Sequence, residues 1–102
     1  MKLVQVLIGA AVLISAPAFA SKELAQKNAC LACHAADKKL VGPAYQEVAK
    51  KYAGQVDAEV NLAKSIKAGG SGKWGPIPMP AQAALSEADA KTLAVWVLAG
   101  AK

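Results

Sequence analysis

The chain has 102 residues, enough for one small domain, and its 12 basic and 7 acidic residues give a formal charge of +5 at neutral pH. Every basic residue is a lysine and no lysine-rich run alternates with aromatic residues, so the composition disfavours nucleic-acid binding. A mildly basic surface suits brief electrostatic docking on acidic patches of protein partners.

The first 20 residues have the organisation of an export signal. A lysine at position 2 precedes an apolar stretch that reaches Ile14, and residues 18–20 read Ala-Phe-Ala, a small-residue cleavage pattern. A retained membrane anchor is the alternative, but a spanning helix needs about 20 apolar residues and Pro17 ends this stretch sooner. We therefore predict cleavage after Ala20 and no stable membrane insertion.

The expected mature chain, residues 21–102, is a single domain of 82 residues with a formal charge of +4, from 11 lysines and 7 acidic residues. A domain of this size buries a marginal core and often needs a stabilising cofactor or cross-link. Ser21 is predicted to cap a first helix that runs through Leu24 and Asn28 and ends at residues 30–34. Leu24 and Leu31 lie seven residues apart, so both are expected on one packed face.

Residues 30–34 read Cys-Leu-Ala-Cys-His, the C-x-x-C-H pattern of covalent c-type haem attachment. Two intervening residues place both thiols on one helical turn, where Cys30 and Cys33 can each form a thioether with a haem vinyl group. The adjacent His34 can then ligate the iron. The pattern therefore predicts one covalently bound haem with its iron, which would also stabilise the small domain.

Three other interpretations of this pattern are considered. A thioredoxin-like redox pair is expected beside a βαβ pattern, and no strand-rich stretch is present in the sequence. A structural zinc site usually has four Cys or His ligands, whereas this chain has two cysteines and one histidine. A disulfide between Cys30 and Cys33 would close too small a loop to stabilise much. None of the three explains His34.

Gly42 and Pro43 punctuate residues 38–43, which are predicted to form a loop. A carbonyl oxygen in this loop could accept a hydrogen bond from the non-ligating nitrogen of the His34 ring and fix its orientation. A simple turn is the alternative, and the sequence leaves both open.

A second helix is predicted over residues 44–52, with Gly54 beyond its end. Tyr45, Val48 and Tyr52 fall on one side of it, and their spacing indicates core residues. A third helix is predicted to follow, capped by Asp57, to run through Val60, Ile66 and Lys67, and to stop at residues 69–70, which are both glycine.

Residues 69–80 read Gly-Gly-Ser-Gly-Lys-Trp-Gly-Pro-Ile-Pro-Met-Pro, and this composition predicts no regular element. Trp74 and Ile77 are expected to cover other residues. Met79 lies between two prolines that restrict the backbone, and it is the one methionine of residues 21–102. A thioether on a stiff loop is a suitable sixth ligand for haem iron, and His/Met ligation raises the reduction potential.

The last helix is predicted to begin after Ser86, with acidic residues in its first turn in the manner of a capping box. Its inward stripe is expected to consist of Leu93, Trp96, Val97 and Gly100, and its partner is expected to be the first helix. Lys91 and Lys102 fall outside this stripe and are expected to be solvated.

Taken together, these segments resemble the small bacterial class I cytochromes c, and most closely the cytochrome c-551 (cytochrome c8) group. Besides the haem-attachment pattern, the matching segments are residues 41–45, 50–54, 74–80 and 93–98, so the resemblance extends over essentially all of residues 21–102. It implies an all-α cytochrome c fold, with about four helices wrapped around one haem. It also implies a monomeric electron carrier of the periplasm rather than an enzyme.

The resemblance assigns the thioethers to Cys30 and Cys33 and the axial iron ligands to His34 and Met79. It further implies that the carbonyl of Pro43 holds the histidine ring.

By the same resemblance, the indole N–H of Trp74 reaches a haem propionate. Two departures from the family pattern are found. Ser65 stands where relatives have a cation beside that propionate, which predicts a pH dependence of the reduction potential displaced upward relative to theirs. Gln82 follows the methionine segment and could donate a hydrogen bond to the sulfur of Met79.

The function predicted from the sequence is single-electron transfer between redox proteins of a respiratory, denitrifying or photosynthetic chain. Compatible partners are a cytochrome bc complex, a nitrite reductase, a terminal oxidase, a peroxidase or a photosynthetic reaction centre. Some of the lysines could steer these encounters, namely Lys38, Lys39, Lys67 and Lys73. Three other functions are the alternatives. A haem enzyme or gas sensor would need an open sixth position on the iron, and a thiol–disulfide oxidoreductase would have two titratable thiols and no haem. An interaction domain would leave both the cysteine–histidine pattern and the methionine segment unexplained.

Overall fold

Residues 18–102 are described by the structure, a computed structural model, and they contain four α-helices and one 3-10 turn. The helices are α1 (Ala18–Lys27), α2 (Tyr45–Tyr52), α3 (Ala58–Ala68) and α4 (Glu87–Leu98), and the 3-10 turn is Cys30–Ala32. Within these residues the extended pairings are two isolated bridges, and no strand forms. The predicted all-α class is therefore confirmed, while most of the predicted export signal lies outside the described residues.

Helix α4 is the element against which the other three helices pack, and its contact with α3 is the most extensive. The hydroxyl oxygen of Ser86 accepts a hydrogen bond from the backbone N–H of Asp89 at 3.0 Å, which confirms the predicted cap. Leu93, Trp96 and Val97 are buried, as their spacing predicts. The expected pairing with α1 is present, and α2 and α3 complete the shell around this helix.

Helix α2 begins at Tyr45, one residue later than predicted, and has the predicted end and the predicted buried side. Tyr45, Val48 and Tyr52 are all part of the core, at spacings of three and four residues. The helix ends two residues before Gly54, whose φ of +79° is a conformation that glycine adopts readily. A short turn then leads directly into α3.

Helix α3 has the predicted limits but not the predicted cap. Asp57 is the residue before the helix, yet its side chain accepts no hydrogen bond there, because its φ of −106° and ψ of 31° depart from the extended conformation of a capping residue. Gly69, with a φ of +65°, ends the helix as expected. A Cβ atom at this position would overlap with the carbonyl oxygen of Met79, so glycine is needed here for close approach as well.

The predicted cap of α1 is not formed in the uncleaved chain. Within the described residues the helix is Ala18–Lys27, and Ser21 is a buried residue inside it, 4% exposed. The reason is that residues 18–20 contain no helix breaker, so the helix continues through them in the uncleaved chain. Within residues 18–102 no helix combines the length and the apolar character needed to span a bilayer.

The predicted end of α1 is also corrected. The helix stops at Lys27, because the side-chain amide of Asn28 donates to the Leu24 carbonyl oxygen at 2.9 Å and Ala29 adopts a φ of 60°. Residues 30–32 then form a separate 3-10 turn. The cysteine segment therefore follows α1 after a reversal of the backbone instead of extending the helix.

Replacement of Leu93 by alanine is expected to lower the free energy of unfolding by about 2–5 kcal/mol, because this side chain is 3% exposed in the core around α4. Val95→Ala on the same helix is the matched control, since Val95 is 44% exposed, and it should change the stability by less than about 1 kcal/mol. Denaturant unfolding of the haem-containing protein measures both. Equal losses would contradict the assignment of the inward face.

Candidate haem site

The two cysteines and the histidine lie on one tight turn. The backbone N–H groups of Cys33 and His34 both donate to the carbonyl oxygen of Cys30, at 3.2 and 3.0 Å. Both thiols are half-buried and neither is part of a disulfide. Three side chains that could hold one planar cofactor therefore leave the backbone within a single turn.

Burial raises the pKa of the Cys30 thiol, and the neighbouring Cys33 thiol adds to this rise. A reactive redox cysteine usually has the opposite shift, toward the thiolate at neutral pH. The direction of the shift at Cys30 is thus opposite to that of a reactive redox thiol.

The imidazole of His34 is oriented by a hydrogen bond of 2.8 Å between its Nδ1 and the carbonyl oxygen of Pro43. A carbonyl oxygen can only accept, so Nδ1 is a protonated ring nitrogen, and in the neutral imidazole Nε2 is the nitrogen with a free lone pair. Of the two interpretations that the sequence left open for residues 38–43, the loop that orients the histidine matches this geometry.

Gly42 holds the loop against the histidine. Its N–H donates to the carbonyl oxygen of Cys33 at 2.7 Å, which ties the loop to the cysteine turn. A Cβ atom on Gly42 would overlap with Cε1 of His34 and lie 2.8 Å from Nδ1. The sequence predicted Gly42 only as part of a turn, and its close approach to the imidazole emerges from the fold.

Tyr45 stacks on the His34 ring. The two rings are stacked with centroids 5.1 Å apart and an interplanar angle of 21°, and Trp96 of α4 meets Tyr45 edge-on at 5.3 Å. Burial raises the pKa of the Tyr45 phenol well above its ordinary value. Tyr45 was predicted as a core residue, which is confirmed, but the sequence did not indicate its contact with the histidine.

Met79 lies on a separate segment that is fixed to the end of α3. Its backbone N–H donates to the Gly70 carbonyl oxygen at 2.8 Å, and the N–H of Gly70 donates to the carbonyl oxygen of Met79 at 3.0 Å. Three residues later, the N–H of Gln82 donates to the carbonyl oxygen of Lys67 at 2.9 Å. Together with the flanking prolines, these bonds hold the half-buried thioether on a backbone of little freedom.

Trp74 is 38% exposed, and the Nζ atom of Lys51 lies 4.3 Å from the centroid of its ring. The same ammonium donates to the carbonyl oxygen of Lys73 at 2.9 Å. Ile77 is 60% exposed and packs against no core residue among those that the structure describes.

The donor set of these residues fits a covalently attached haem. Two free thiols and an imidazole with an available Nε2 lie on one turn, and a stiff segment presents a thioether. The fold and the site thus define a small helical protein with a turn built for haem attachment.

The comparisons with known proteins identify the family. The model of the family described as cytochrome c matches residues 20–100. The chain therefore belongs to the cytochrome c family, as its resemblance implied. Members of this family carry a covalently bound haem c with its iron and act as electron carriers between redox proteins, and two cysteines are present here for the attachment.

Similar curated proteins have the names that the resemblance suggested. The chain is 51% identical over 88 residues to cytochrome c-552 of Nitrosomonas europaea, an alignment that covers 86% of this chain and 85% of the relative. It is 58% identical over 77 residues to cytochrome c-551 of Azotobacter vinelandii, with 76% of this chain and 93% of the relative covered. Both relatives support a small class I c-type cytochrome.

Solved structures agree with the fold. The crystal structure of wild-type cytochrome c552 from Nitrosomonas europaea aligns with a TM-score of 0.75 at 52% identity, and the alignment covers 78% of this chain and 98% of that one. A class 1 cytochrome, MtoD of Sideroxydans lithotrophicus, aligns with a TM-score of 0.70 at 30% identity, covering 86% of this chain and all of that one. The predicted small cytochrome c fold is confirmed.

Gly42→Ala is expected to displace the His34 ring, because the added Cβ would overlap with the imidazole. We expect a loss of about 1–3 kcal/mol in the free energy of unfolding and a reduced fraction of molecules with haem. Intact mass and the haem absorption spectrum measure the second effect.

Gly54→Ala is the control for this experiment. Its φ of +79° makes alanine unfavourable, but no atom lies within 4 Å of the added Cβ. It should cost about 1 kcal/mol of stability and leave haem attachment unchanged. Haem attachment at the wild-type level in Gly42→Ala would contradict the close approach of Gly42 to the ring.

Proposed function

We propose that this protein is an exported, periplasmic carrier of single electrons, with one haem attached through Cys30 and Cys33 and ligated axially by His34 and Met79. The observation that supports this proposal best is the hydrogen bond of 2.8 Å between His34 Nδ1 and the carbonyl oxygen of Pro43. It leaves Nε2 free for a metal on the same turn as both thiols.

Pro43 contributes more than the orientation of the ring. A carbonyl oxygen that accepts from Nδ1 raises the basicity of Nε2 and strengthens it as a ligand. Because proline has no backbone N–H and its φ is fixed, the segment that carries this carbonyl has little freedom to move away. The stacked ring of Tyr45 further restricts the imidazole.

Met79 is proposed as the sixth ligand on the grounds of chemistry and backbone stiffness. It is the one methionine of residues 21–102, and its segment is bound to α3 through the paired hydrogen bonds with Gly70. The bound haem supplies a one-electron couple between ferrous and ferric iron. A protein that fills both axial positions leaves no site for a substrate, which favours electron transfer over catalysis.

The proposed partners are redox proteins with acidic patches, among them a cytochrome bc complex, a nitrite reductase, a terminal oxidase, a peroxidase or a reaction centre. Lys38 and Lys39 are exposed next to Leu40 and Val41, which are also exposed, on the loop that follows the cysteine turn. An apolar contact bordered by cations suits a small, short-lived and salt-sensitive interface of less than about 1,200 Å².

Export is proposed from the organisation of the first 20 residues. The family match begins at residue 20, which agrees with a domain that starts after the predicted cleavage site. Helix α1 spans residues 18–20 in the uncleaved chain, so cleavage after Ala20 would remove its first three residues and make Ser21 the new N-terminus. The remaining helix would retain its packing on α4.

Met79→Ala tests the ligand assignment. Removal of the thioether should abolish the weak far-red absorption of a methionine-ligated ferric haem and lower the reduction potential by roughly 100 mV or more, since axial ligands set this quantity over about 0.8 V. The ferrous variant should also bind carbon monoxide rapidly. Val56→Ala, at a residue that is 99% exposed and lies outside this segment, is the control and should retain all three wild-type properties. Rapid carbon monoxide binding by the wild type would contradict His/Met ligation.

Intact mass under denaturing conditions tests cleavage and attachment together. Protein purified from an export-competent host that matures c-type haem should have the mass of residues 21–102 plus one haem, because thioethers survive denaturation. A haem-free mass that lacks two hydrogens would instead indicate a disulfide between Cys30 and Cys33. A haem-bearing mass that includes residues 1–20 would contradict the predicted cleavage but would still support haem attachment.

A further inference from the structure

Two lysines converge where the end of α2 meets the segment after α3. The ammonium of Lys73 donates to the phenol oxygen of Tyr52 at 2.6 Å and lies 4.1 Å from the centroid of the same ring. Lys51 donates to the carbonyl oxygen of Lys73 and covers the ring of Trp74. We call Lys51, Tyr52, Ser65, Lys73 and Trp74 the cationic cluster.

Ser65 of α3 belongs to this cluster because its hydroxyl contributes to lowering the pKa of the Tyr52 phenol. Burial raises the pKa of Tyr52, but the hydrogen bond from Lys73, the Ser65 hydroxyl and the charges of Lys73 and Lys51 outweigh burial and lower it overall. The charged groups that act on the phenol are thus the two ammonium groups, one from α2 and one from the segment after α3, and α3 contributes a neutral hydroxyl.

The cluster has no acidic member. Among residues 18–102, one salt bridge forms, between Lys50 and Glu47 on the exposed side of α2, so neither Lys51 nor Lys73 is paired with a carboxylate there. Two ammonium groups held in one cluster repel each other, and ordered lysine side chains also lose rotamer entropy. An arrangement of this kind favours an anion as its missing partner.

The polar groups of the cluster are all able to donate hydrogen bonds. They comprise two ammonium groups, a phenol, a hydroxyl and the indole N–H of Trp74, a set suited to a carboxylate with two acceptor oxygens. The protein's own cofactor brings two such carboxylates, the haem propionates. Trp74 connects the cluster to the segment that ends at Met79, which is proposed to ligate the same cofactor.

We propose that Lys73, positioned by Tyr52, is the cation that pairs with a haem propionate in this protein. This inference rests on the proposed haem site. The presence of Ser65 on α3 led to the expectation that no cation stands beside the propionate. The inference revises this expectation, because Lys73 in the segment after α3 would supply the cation. The propionate is then ionised at lower pH than the sequence alone suggested.

The expected consequence concerns the reduction potential. Ferric iron carries one more positive charge than ferrous iron and favours the ionised propionate, so the potential falls as the pH rises through the propionate pKa. A neighbouring cation lowers this pKa by about 1–3 units. With Lys73 in place, the fall should occur at low pH.

The experiment compares the wild type with Lys73→Gln, Ser65→Arg and the double variant, all as haem-containing protein. Potentials are titrated against pH, and the propionate pKa is followed independently by the NMR shifts of the haem substituents. Lys73→Gln should raise the propionate pKa by about one unit or more, a tenfold or greater rise in proton affinity. Ser65→Arg alone should change it little, and the double variant should restore the wild-type value.

Lys91→Gln on α4 removes the same charge from an exposed site outside the cluster and is the control. Tyr52→Phe is a second variant: it removes the phenol oxygen that positions Lys73, keeps the ring, and should raise the pKa by less than Lys73→Gln. A pKa in Lys73→Gln equal to that of Lys91→Gln would overturn the proposal. An unchanged pKa with an altered salt dependence of electron transfer would also overturn it, and would assign the cluster to an acidic partner protein.

The readouts separate this inference from the proposed function. Covalent haem mass and the far-red absorption of the ferric protein report attachment and Met79 ligation in every variant. If the wild type lacks the haem mass or the far-red absorption, the proposed ligand set is contradicted. If Lys73→Gln retains both signals and its propionate pKa is unchanged, only the proposed role of Lys73 is contradicted.

Discussion

The hydrogen bond between His34 Nδ1 and the carbonyl oxygen of Pro43 is the contact on which the site depends. It joins the turn that bears the two thiols to the loop that leads into α2, and it selects the ring nitrogen that stays free. Gly42 makes the contact sterically feasible, and the stacked ring of Tyr45 restricts the imidazole further. Since Tyr45 also meets Trp96, the orientation of one imidazole is coupled to the packing around α4.

The second half of the site is stiffened by a different device. Prolines and the paired backbone bonds between Gly70 and Met79 hold the segment after α3, so the thioether is presented without support from a large apolar core. The same segment carries Lys73, which contacts Tyr52 on α2. A small domain with a marginal core thus uses local backbone constraint and a few polar contacts where a larger one would use buried area.

Sequence patterns predicted those helices whose start or buried face is determined by residues close together in the chain. The spacing of Tyr45, Val48 and Tyr52 predicted the buried face of α2, and Ser86 predicted the start of α4. Ser21, predicted as the cap in the mature chain, lies inside the helix of the uncleaved chain, because nothing in residues 18–20 stops a helix. The cap assigned to Asp57 failed because the backbone conformation before α3 is set by the tight turn from α2.

By itself, the sequence determined the fold class, the haem-attachment pattern and the family, since these depend on residue identity and spacing along the chain. The tertiary structure decided which carbonyl meets His34, which ring lies behind it and where Lys73 is directed. These contacts join residues from different elements, and lysine side chains with four rotatable bonds reach many positions from one backbone site. The partner of a lysine ammonium therefore depends on which groups the tertiary structure places near it, and no local sequence pattern specifies those groups.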